Sequence, residues 1–349
     1  MAPSNLTLQY DSLLTTTVFN WSKTLQDVIS KSNYFIYALM KSNGWETLDD
    51  VGERAAYPLM YELGQADAYS GYDVLDTTPM DGLTSAFFDW RQGSVPIAIS
   101  GAEELKNSGE AKMLSLLEAK TKQAELGLVD FVNKSMFQGA GTTNITTAYT
   151  SSINGSSFVD PLPLLVKYDP TTSTTIGNIN QATYSWWQNQ TKNSTSATYA
   201  AFLKELRNLK NNCTKGPGGS PTAYVSDQNV AELYEAALAD KHRNTSYQKA
   251  DIPFDNVLMF NKPLTWDEYV PDVQGGSVTQ STTSGTLWML NLDFFKFRVH
   301  SARNFSSTPF VKPENQDARV SHNLFFGALC VGNRRKQGVC GGIDSTISS

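Results

Sequence analysis

The stretch "ISGAEELKNSGEAKMLSLLEAKTKQAEL", Ile99 to Leu126, joins a short apolar strand to an unusually long helical pattern. Apolar positions recur at three- and four-residue steps, which predicts a helix from about Glu110 to Phe137 with Ser108 as its N-cap. Such a helix is roughly 40 Å long at ~1.5 Å per residue, whereas a typical globular helix has ~11–12 residues. We expect it to lie across a sheet. A coiled coil is the alternative, but clean heptads are too few.

Composition limits the classes of protein that this chain can belong to. The 349 residues are 40% hydrophobic with a formal net charge of -6, which allows one large or two ordinary domains. No apolar run is long enough to span a membrane, and the first residues do not resemble a secretory signal. We interpret the short basic clusters Arg334-Arg335-Lys336 and Lys241-His242-Arg243 as solvated surface.

The three cysteines, Cys213, Cys330 and Cys340, make a poor disulfide framework for a chain of this length. Cys330 and Cys340 flank a predicted turn that could bring them together, but we expect free thiols. No cysteine pair has CxxC spacing and the histidines are dispersed, so we expect no metal site. The Asn-x-Ser/Thr triplets reflect composition more readily than glycosylation.

Two strand-like runs, Tyr57 to Tyr69 and Ser85 to Ile99, flank a segment rich in turn residues. They predict a long β-hairpin with a broad tip. A two-stranded hairpin is marginal in water, and the rest of the chain offers no obvious cover. We therefore expect a neighbouring subunit to support it.

Strand alternation in the second run separates two kinds of side chain. It places Phe87, Asp89 and Arg91 on one face and Phe88 with Trp90 on the other. Adjacent exposed aromatics usually mark an interface. We predict that Phe88 and Trp90 pack either on the subunit's own peripheral part or on a neighbour.

The remaining segments mix helices and strands without strict alternation, which indicates an α+β fold. Residues 1–50 look like an arm with little that closes a core. "TTIGNINQATYSWWQNQT" predicts a turn followed by a short aromatic segment, and "YAAFLKELRNLKNN" predicts an amphipathic helix. "SPTAYVSDQNVAELYEAAL" predicts a strand, an N-cap at Ser226 or Asp227, and a helix. "HNLFFGALCVGNRRKQGVCGGI" predicts two strands around a turn.

Motifs for catalysis are absent from the sequence. There is no GxxxxGK[ST], GxSxG or HExxH pattern. Glu103 and Glu104 are adjacent, but on an extended strand they would point to opposite faces and could not act together. We expect no enzymatic activity and no cofactor.

The order of these segments resembles that of major capsid proteins of tailed double-stranded DNA bacteriophages with the HK97 fold. An arm and a long hairpin precede "ISGAEELKNSG" and "LLEAKTKQAELGLVDFVNKSMFQG". A Gly-x-Ile turn then precedes Trp186-Trp187-x-x-Gln, and the strand-then-helix unit and closing strands follow. The resemblance covers roughly Leu48 to Ile343.

The resemblance implies a domain map. It comprises an N-terminal arm (1–54), an extended hairpin loop (55–100), a peripheral domain with a spine helix (101–159), an axial domain (160–303) and closing strands (304–349). Candidate subunit contacts are Phe88, Trp90, Arg91, Glu103, Glu104, Trp186 and Trp187.

The resemblance also implies self-assembly as hexamers and pentamers into an icosahedral shell around packaged DNA, bound without sequence specificity. Portal, scaffold and decoration proteins would be partners, and the shell would assemble in the host cytoplasm to become the virion capsid. Some family members cross-link through a lysine on the extended loop, but no lysine lies between Ala55 and Leu105. Alternatives are a non-viral, encapsulin-like nanocompartment shell and, less favoured, a secreted Ser/Thr-rich binding module.

Overall fold

The computed structural model describes residues 34–49, 52–64, 66–75, 78, 81–106, 116–138, 159–194, 198–239, 257–274, 277–279, 284–344 and 346–347. The chain mixes helices and strands, as predicted. It divides into two compact units. The smaller unit contains Gln92–Val132 and Ser301–Phe326, and the larger one contains Asn33–Arg91, Asn133–His300 and Gly327–Ser349.

The smaller unit contains most of a long strand and most of a long helix. Strand β4 (Arg91–Ser100) and the short β15 (Ser306–Ser307) both pair with β16 (Ala318–Val331). Helix α2 (Gly101–Lys106) precedes the 23-residue helix α3 (Leu116–Gln138). The predicted long helix is confirmed and ends one residue beyond Phe137. Its predicted start and the Ser108 cap lie outside the described residues.

Helix α2 begins with a reciprocal pair of hydrogen bonds. The Glu103 N–H donates to Ser100 Oγ at 3.2 Å, and the Ser100 N–H donates to Glu103 Oε2 at 3.1 Å. This S-x-x-E capping box satisfies two backbone donors at the helix start. Glu103 and Glu104 therefore lie on a helix, and the expectation of an extended strand there is wrong.

The hairpin in the larger unit pairs β2 (Arg54–Met60) with β3 (Leu83–Asp89). The antiparallel register runs from Arg54 opposite Asp89 to Met60 opposite Leu83. The first strand is therefore shorter than predicted, and the described residues between 61 and 82 form the tip. The predicted second strand is two strands divided at Trp90, since β4 pairs with β16 and not with β2.

A six-stranded sheet forms the centre of the larger unit. Its order is β7 (Gln190–Asn193), β17 (Gly338–Asp344), β13 (Ser284–Leu290), β8 (Ala223–Ser226), β10 (Lys262–Trp266) and β9 (Val257–Met259). Helices α5 (Tyr199–Thr214) and α6 (Gln228–Ala239) share a buried cluster with this sheet, which includes Leu206, Leu233, Leu287 and Met289. The predicted amphipathic helix and the strand-then-helix unit are confirmed.

Several smaller elements complete the larger unit. Helix α1 (Tyr34–Lys41) and β1 (Trp45–Leu48) begin it, and β1 runs parallel to β14 (Phe295–His300), which pairs with the end of β16. The others are α4 (Leu162–Leu165), β5 (Thr175–Ile176), β6 (Ile179–Asn180), β11 (Asp272–Gln274) and β12 (Ser277–Thr279). Phe35 and Leu39 of α1 are fully buried, so this part of the predicted arm does contribute to the core. Residues 1–33 lie outside the described chain.

All three cysteines are free and buried, which confirms the expected thiols. The two strands on either side of the "VGNRRKQG" turn belong to different sheets. β16 pairs with β14, and β17 pairs with β13. Burial raises the pKa of Cys330 and Cys340 to about 12.

Among the described residues, no helix is long and apolar enough to cross a membrane, and no group of three acidic, His or Cys side chains could hold a metal ion.

Candidate assembly surfaces

The root of the hairpin is covered by its own chain. Phe88 is only 2% exposed, and the Phe87 N–H donates to the carbonyl of Gly177 at 3.1 Å. A Cβ at Gly177, whose φ is +60°, would lie 2.9 Å from Ala86 Cβ and 3.2 Å from Phe88 Cζ. Only glycine permits this close approach. The expectation that the chain offers no cover is wrong for this end of the hairpin.

The two adjacent tryptophans belong to the same neighbourhood. Trp187 is buried, and its Nε1 donates to the carbonyl of Ile176 at 2.9 Å. Trp186 is half-buried and stacks on Tyr61 with ring centroids 5.1 Å apart. Trp187 is thus a core residue in this chain, whereas Trp186 and the 48% exposed Tyr184 beside it still present aromatic surface.

Trp90 and Arg91 mark the corner between β3 and β4. Trp90 is half-buried, and its Nε1 donates to the carbonyl of Gly52 at 3.0 Å. Asp89 lies 3.2 Å from Arg54 and 3.8 Å from Arg91, measured between charged atoms. Desolvation raises the pKa of nearby Asp160 to about 6, and the positive charge of Arg91 opposes that rise.

Glu103 is held within the smaller unit. Lys120 Nζ of α3 donates to Glu103 Oε2 at 2.8 Å and to the carbonyl of Ala98 at 2.8 Å. Burial alone would raise the pKa of Glu103, but the hydrogen bonds from Lys120 and Ser100 lower it overall. Through these hydrogen bonds Glu103 connects α2 with α3 and with the end of β4, which favours a structural role for it. Glu104 is the next residue of α2.

The hairpin tip carries the two most exposed large apolar side chains of the described chain, those of Tyr72 and Val74. Tyr69, Tyr72, Val74 and Leu75 are 69, 105, 97 and 59% exposed. Exposed apolar side chains that lie together on one segment are typical of an interaction surface. The sequence interpretation stressed Phe88 and Trp90 and did not single out these residues, although "AYSGYDVLD" shows aromatics embedded among turn residues.

The basic cluster after β16 is largely buried, which corrects its interpretation as solvated surface. Arg334 has no exposed area. It donates to the carbonyls of Leu165 and Trp187 at 2.7 and 2.8 Å and to the side-chain oxygens of Gln181 and Asn189 at 3.0 Å each. Five fixed donors allow one guanidinium to hold several acceptors at once. Arg335 alone is exposed.

Lys336, the third member, is 2% exposed and reaches a loop after α5. Its Nζ donates to four backbone carbonyls, those of Thr214, Lys215, Gly216 and Gly219, at 3.2, 3.1, 2.8 and 3.4 Å. An ammonium at a helix C-terminus satisfies carbonyls that have no partner within the helix. The buried Lys336 ammonium therefore fixes the backbone of the loop at 215–220, although the loop residues themselves are exposed.

No family model and no curated protein matches this chain. Solved structures do match over nearly the full length of both chains. The capsid asymmetric unit of cyanophage A-1(L) covers 93% of this chain and 97% of its own, at 11% identity and a TM-score of 0.59. The capsid of a native GTA particle covers 98% and 100%, at 9% identity and a TM-score of 0.56.

This chain has the capsid fold. The holo-SrpI encapsulin complex of Synechococcus elongatus PCC 7942 also shares it, covering 100% of this chain and 99% of its own at 10% identity and a TM-score of 0.54. The likeness confirms the α+β, HK97-like architecture expected from the sequence.

Proposed function

We propose that this chain is a major capsid protein whose copies self-assemble as hexamers and pentamers into an icosahedral shell enclosing double-stranded DNA. The likeness to shell subunits over nearly the whole of both chains carries this proposal. In this proposal, the arm (1–54), extended hairpin (55–100), peripheral domain (101–159), axial domain (160–303) and closing strands (304–349) keep the roles expected for the family, and the role is structural and non-enzymatic.

The exposed hairpin tip supports assembly with a second copy of this chain. Tyr72 and Val74 are almost wholly exposed, although covering such side chains is favourable by about 25 cal/mol per Å² of apolar area. A tip that docks on a different part of the next copy makes a head-to-tail contact, which forms a ring when the rotation between copies closes. Trp90 and Trp186, each half-buried, are secondary candidates for the same contact.

The shell would be the capsid of a virion assembled in the host cytoplasm. Portal, scaffold or decoration proteins would be its further partners, and DNA would be held without sequence specificity.

An encapsulin-like compartment is the second candidate, favoured by the likeness to the SrpI encapsulin complex. Particles purified after nuclease treatment distinguish the two: protected double-stranded DNA supports the capsid, and protein cargo without DNA supports the compartment. A secreted Ser/Thr-rich module is the weaker alternative, because the three cysteines are free and buried.

Light scattering and negative-stain microscopy of the purified chain test assembly. We expect closed, roughly spherical particles from the wild type, whereas the Tyr72→Ser/Val74→Ser variant should stay folded by circular dichroism yet fail to close shells. Met40→Ser, which changes a 49% exposed methionine on α1, is the matched control and should assemble normally. A monodisperse wild-type monomer at high concentration would contradict the proposal.

A further inference from the structure

The exposed side of α5 is electropositive in a chain that is acidic overall. Lys204 and Arg207 lie three residues apart on this side, and Lys215 follows directly after the helix. Between residues 198 and 222 the sequence has four basic residues and a single acid, Glu205. That acid is half-buried and accepts a hydrogen bond from Ser194 Oγ at 3.0 Å, which leaves the outer face of the helix to the cations.

The exposed loop at 215–220, "KGPGGS", adds backbone donors to this face. Its carbonyls at 215, 216 and 219 accept from Lys336 Nζ, and that at 218 accepts from Asn291 Nδ2 at 2.9 Å. The peptide bonds are trans, so each N–H points opposite to the carbonyl of its own peptide unit. The N–H groups of Gly216, Gly219 and Ser220 therefore point away from Lys336 and Asn291, in a loop whose residues are all exposed.

The chemistry of this surface suits phosphate better than protein. Lysine, arginine, amide side chains and backbone N–H groups are the donors that contact phosphate oxygens in DNA complexes, and Asn208 and Asn211 add exposed amides. Protein interfaces are enriched in aromatic residues, Met and Arg and are depleted in lysine, whereas two of the three cations here are lysines. None of the large hydrophobic side chains described between residues 198 and 222 is markedly exposed, in contrast to the hairpin tip.

We propose that α5 and the loop at 215–220 form a phosphate-binding surface that contacts the backbone of the enclosed double-stranded DNA. This inference rests on the proposed capsid function. Lys204, Arg207 and Lys215 supply the charge, the glycine loop supplies oriented N–H donors, and Lys336 fixes that loop. Glu232 and Glu235 are exposed on α6, the helix that shares a buried cluster with α5. Three cations give weak binding with a salt slope of about -2.7, which is compatible with DNA entering and leaving the shell.

Fluorescence anisotropy of unassembled full-length subunits with a labelled DNA duplex tests the surface. The Lys204→Gln/Arg207→Gln/Lys215→Gln variant should bind at least about tenfold more weakly at low salt, and its salt slope should approach zero. The control Lys122→Gln/Lys262→Gln/Arg319→Gln removes the same charge at three exposed positions elsewhere and should bind as the wild type does.

Equal binding by both variants, or equal loss in both, would overturn the proposal. So would a wild-type preference for a polyglutamate peptide over DNA, because that result would indicate an acidic protein partner. Shell formation is followed in parallel by light scattering. A chain that forms shells but does not bind DNA through α5 contradicts only this inference, whereas one that binds DNA but never forms shells contradicts the proposed function.

Discussion

Arg334 is a fully buried cation whose described hydrogen-bond partners are all neutral oxygens. Burial lowers its pKa to about 9, so the guanidinium remains charged at neutral pH. A buried charge persists only when hydrogen bonds compensate for lost hydration. Arg334 therefore fastens the turn between β16 and β17 to the segment from α4 to the tryptophans.

We expect Arg334→Met to destabilise the larger unit by about 3 kcal/mol or more, because each buried unpaired group costs about 1–3 kcal/mol. The carbonyls of Leu165 and Trp187 and the side-chain oxygen of Gln181 lose the donor described for them. Asn189 Oδ1 still accepts from the Lys167 N–H at 3.1 Å. The adjacent Arg335→Met changes an exposed side chain and should stay within about 0.5 kcal/mol of wild type. Urea unfolding of both variants checks the difference. Equal midpoints would show that the network contributes little.

Asp160 gives the fold a pH dependence with a definite sign. Desolvation raises its pKa from 3.8 to about 6, so the folded state binds this proton more tightly than the unfolded chain does. The group therefore contributes most to stability below pH 3.8, and the contribution is lost as the pH rises through about 6. Asp160→Asn should raise the unfolding temperature at pH 7 and have little effect near pH 4. Destabilisation at pH 7 would mean that attraction to Arg91 outweighs desolvation.

The sequence does not distinguish buried from exposed members of a basic run, because the partners of such residues are remote. The acceptors of Arg334 lie 145 to 169 residues earlier in the chain. By contrast, Ser100 and Glu103 form a local capping box that "SGAE" could have predicted.

At the scale of elements, local periodicity predicted α3, α5 and the strand before α6, because each has an apolar face that its own sequence defines. Strand pairing was harder to predict. Residues from Ser85 to Ile99 read as one strand, but β3 pairs with β2 and β4 with β16, and no local pattern marks the change at Trp90. The partner of β4 lies more than two hundred residues later in the sequence.

The hairpin offers a matched pair of aromatic substitutions. Phe88→Ala should cost about 3–5 kcal/mol, because Phe88 is buried beside Gly177 and truncating it leaves a cavity. Phe87→Ala, at a 40% exposed position on the opposite face, should cost much less. Thermal unfolding of unassembled subunits compares them. Equal costs would mean that the root does not pack as described.

At the scale of the whole molecule, two exposed surfaces differ in chemistry and therefore in the partners they suit. The hairpin tip is aromatic and, from Tyr61 to Gly82, carries five acidic and no basic residues. The outer side of α5 is basic, amide-rich and free of large exposed apolar groups among its described residues. In the proposed capsid, the hairpin tip would contact another copy of this chain, and the outer side of α5 would contact the enclosed DNA.

The composition of the hairpin bears on whether the proposed shells can become covalently linked. No lysine lies between Ala55 and Leu105, and arginine stays protonated and cannot act as the amine nucleophile. A lysine of this loop therefore cannot be the nucleophile of a cross-link between subunits. We expect shells boiled in SDS to release monomers only, with or without reducing agent, because the three thiols are buried. A ladder of SDS-resistant multimers would require a nucleophile outside the hairpin and would contradict this prediction.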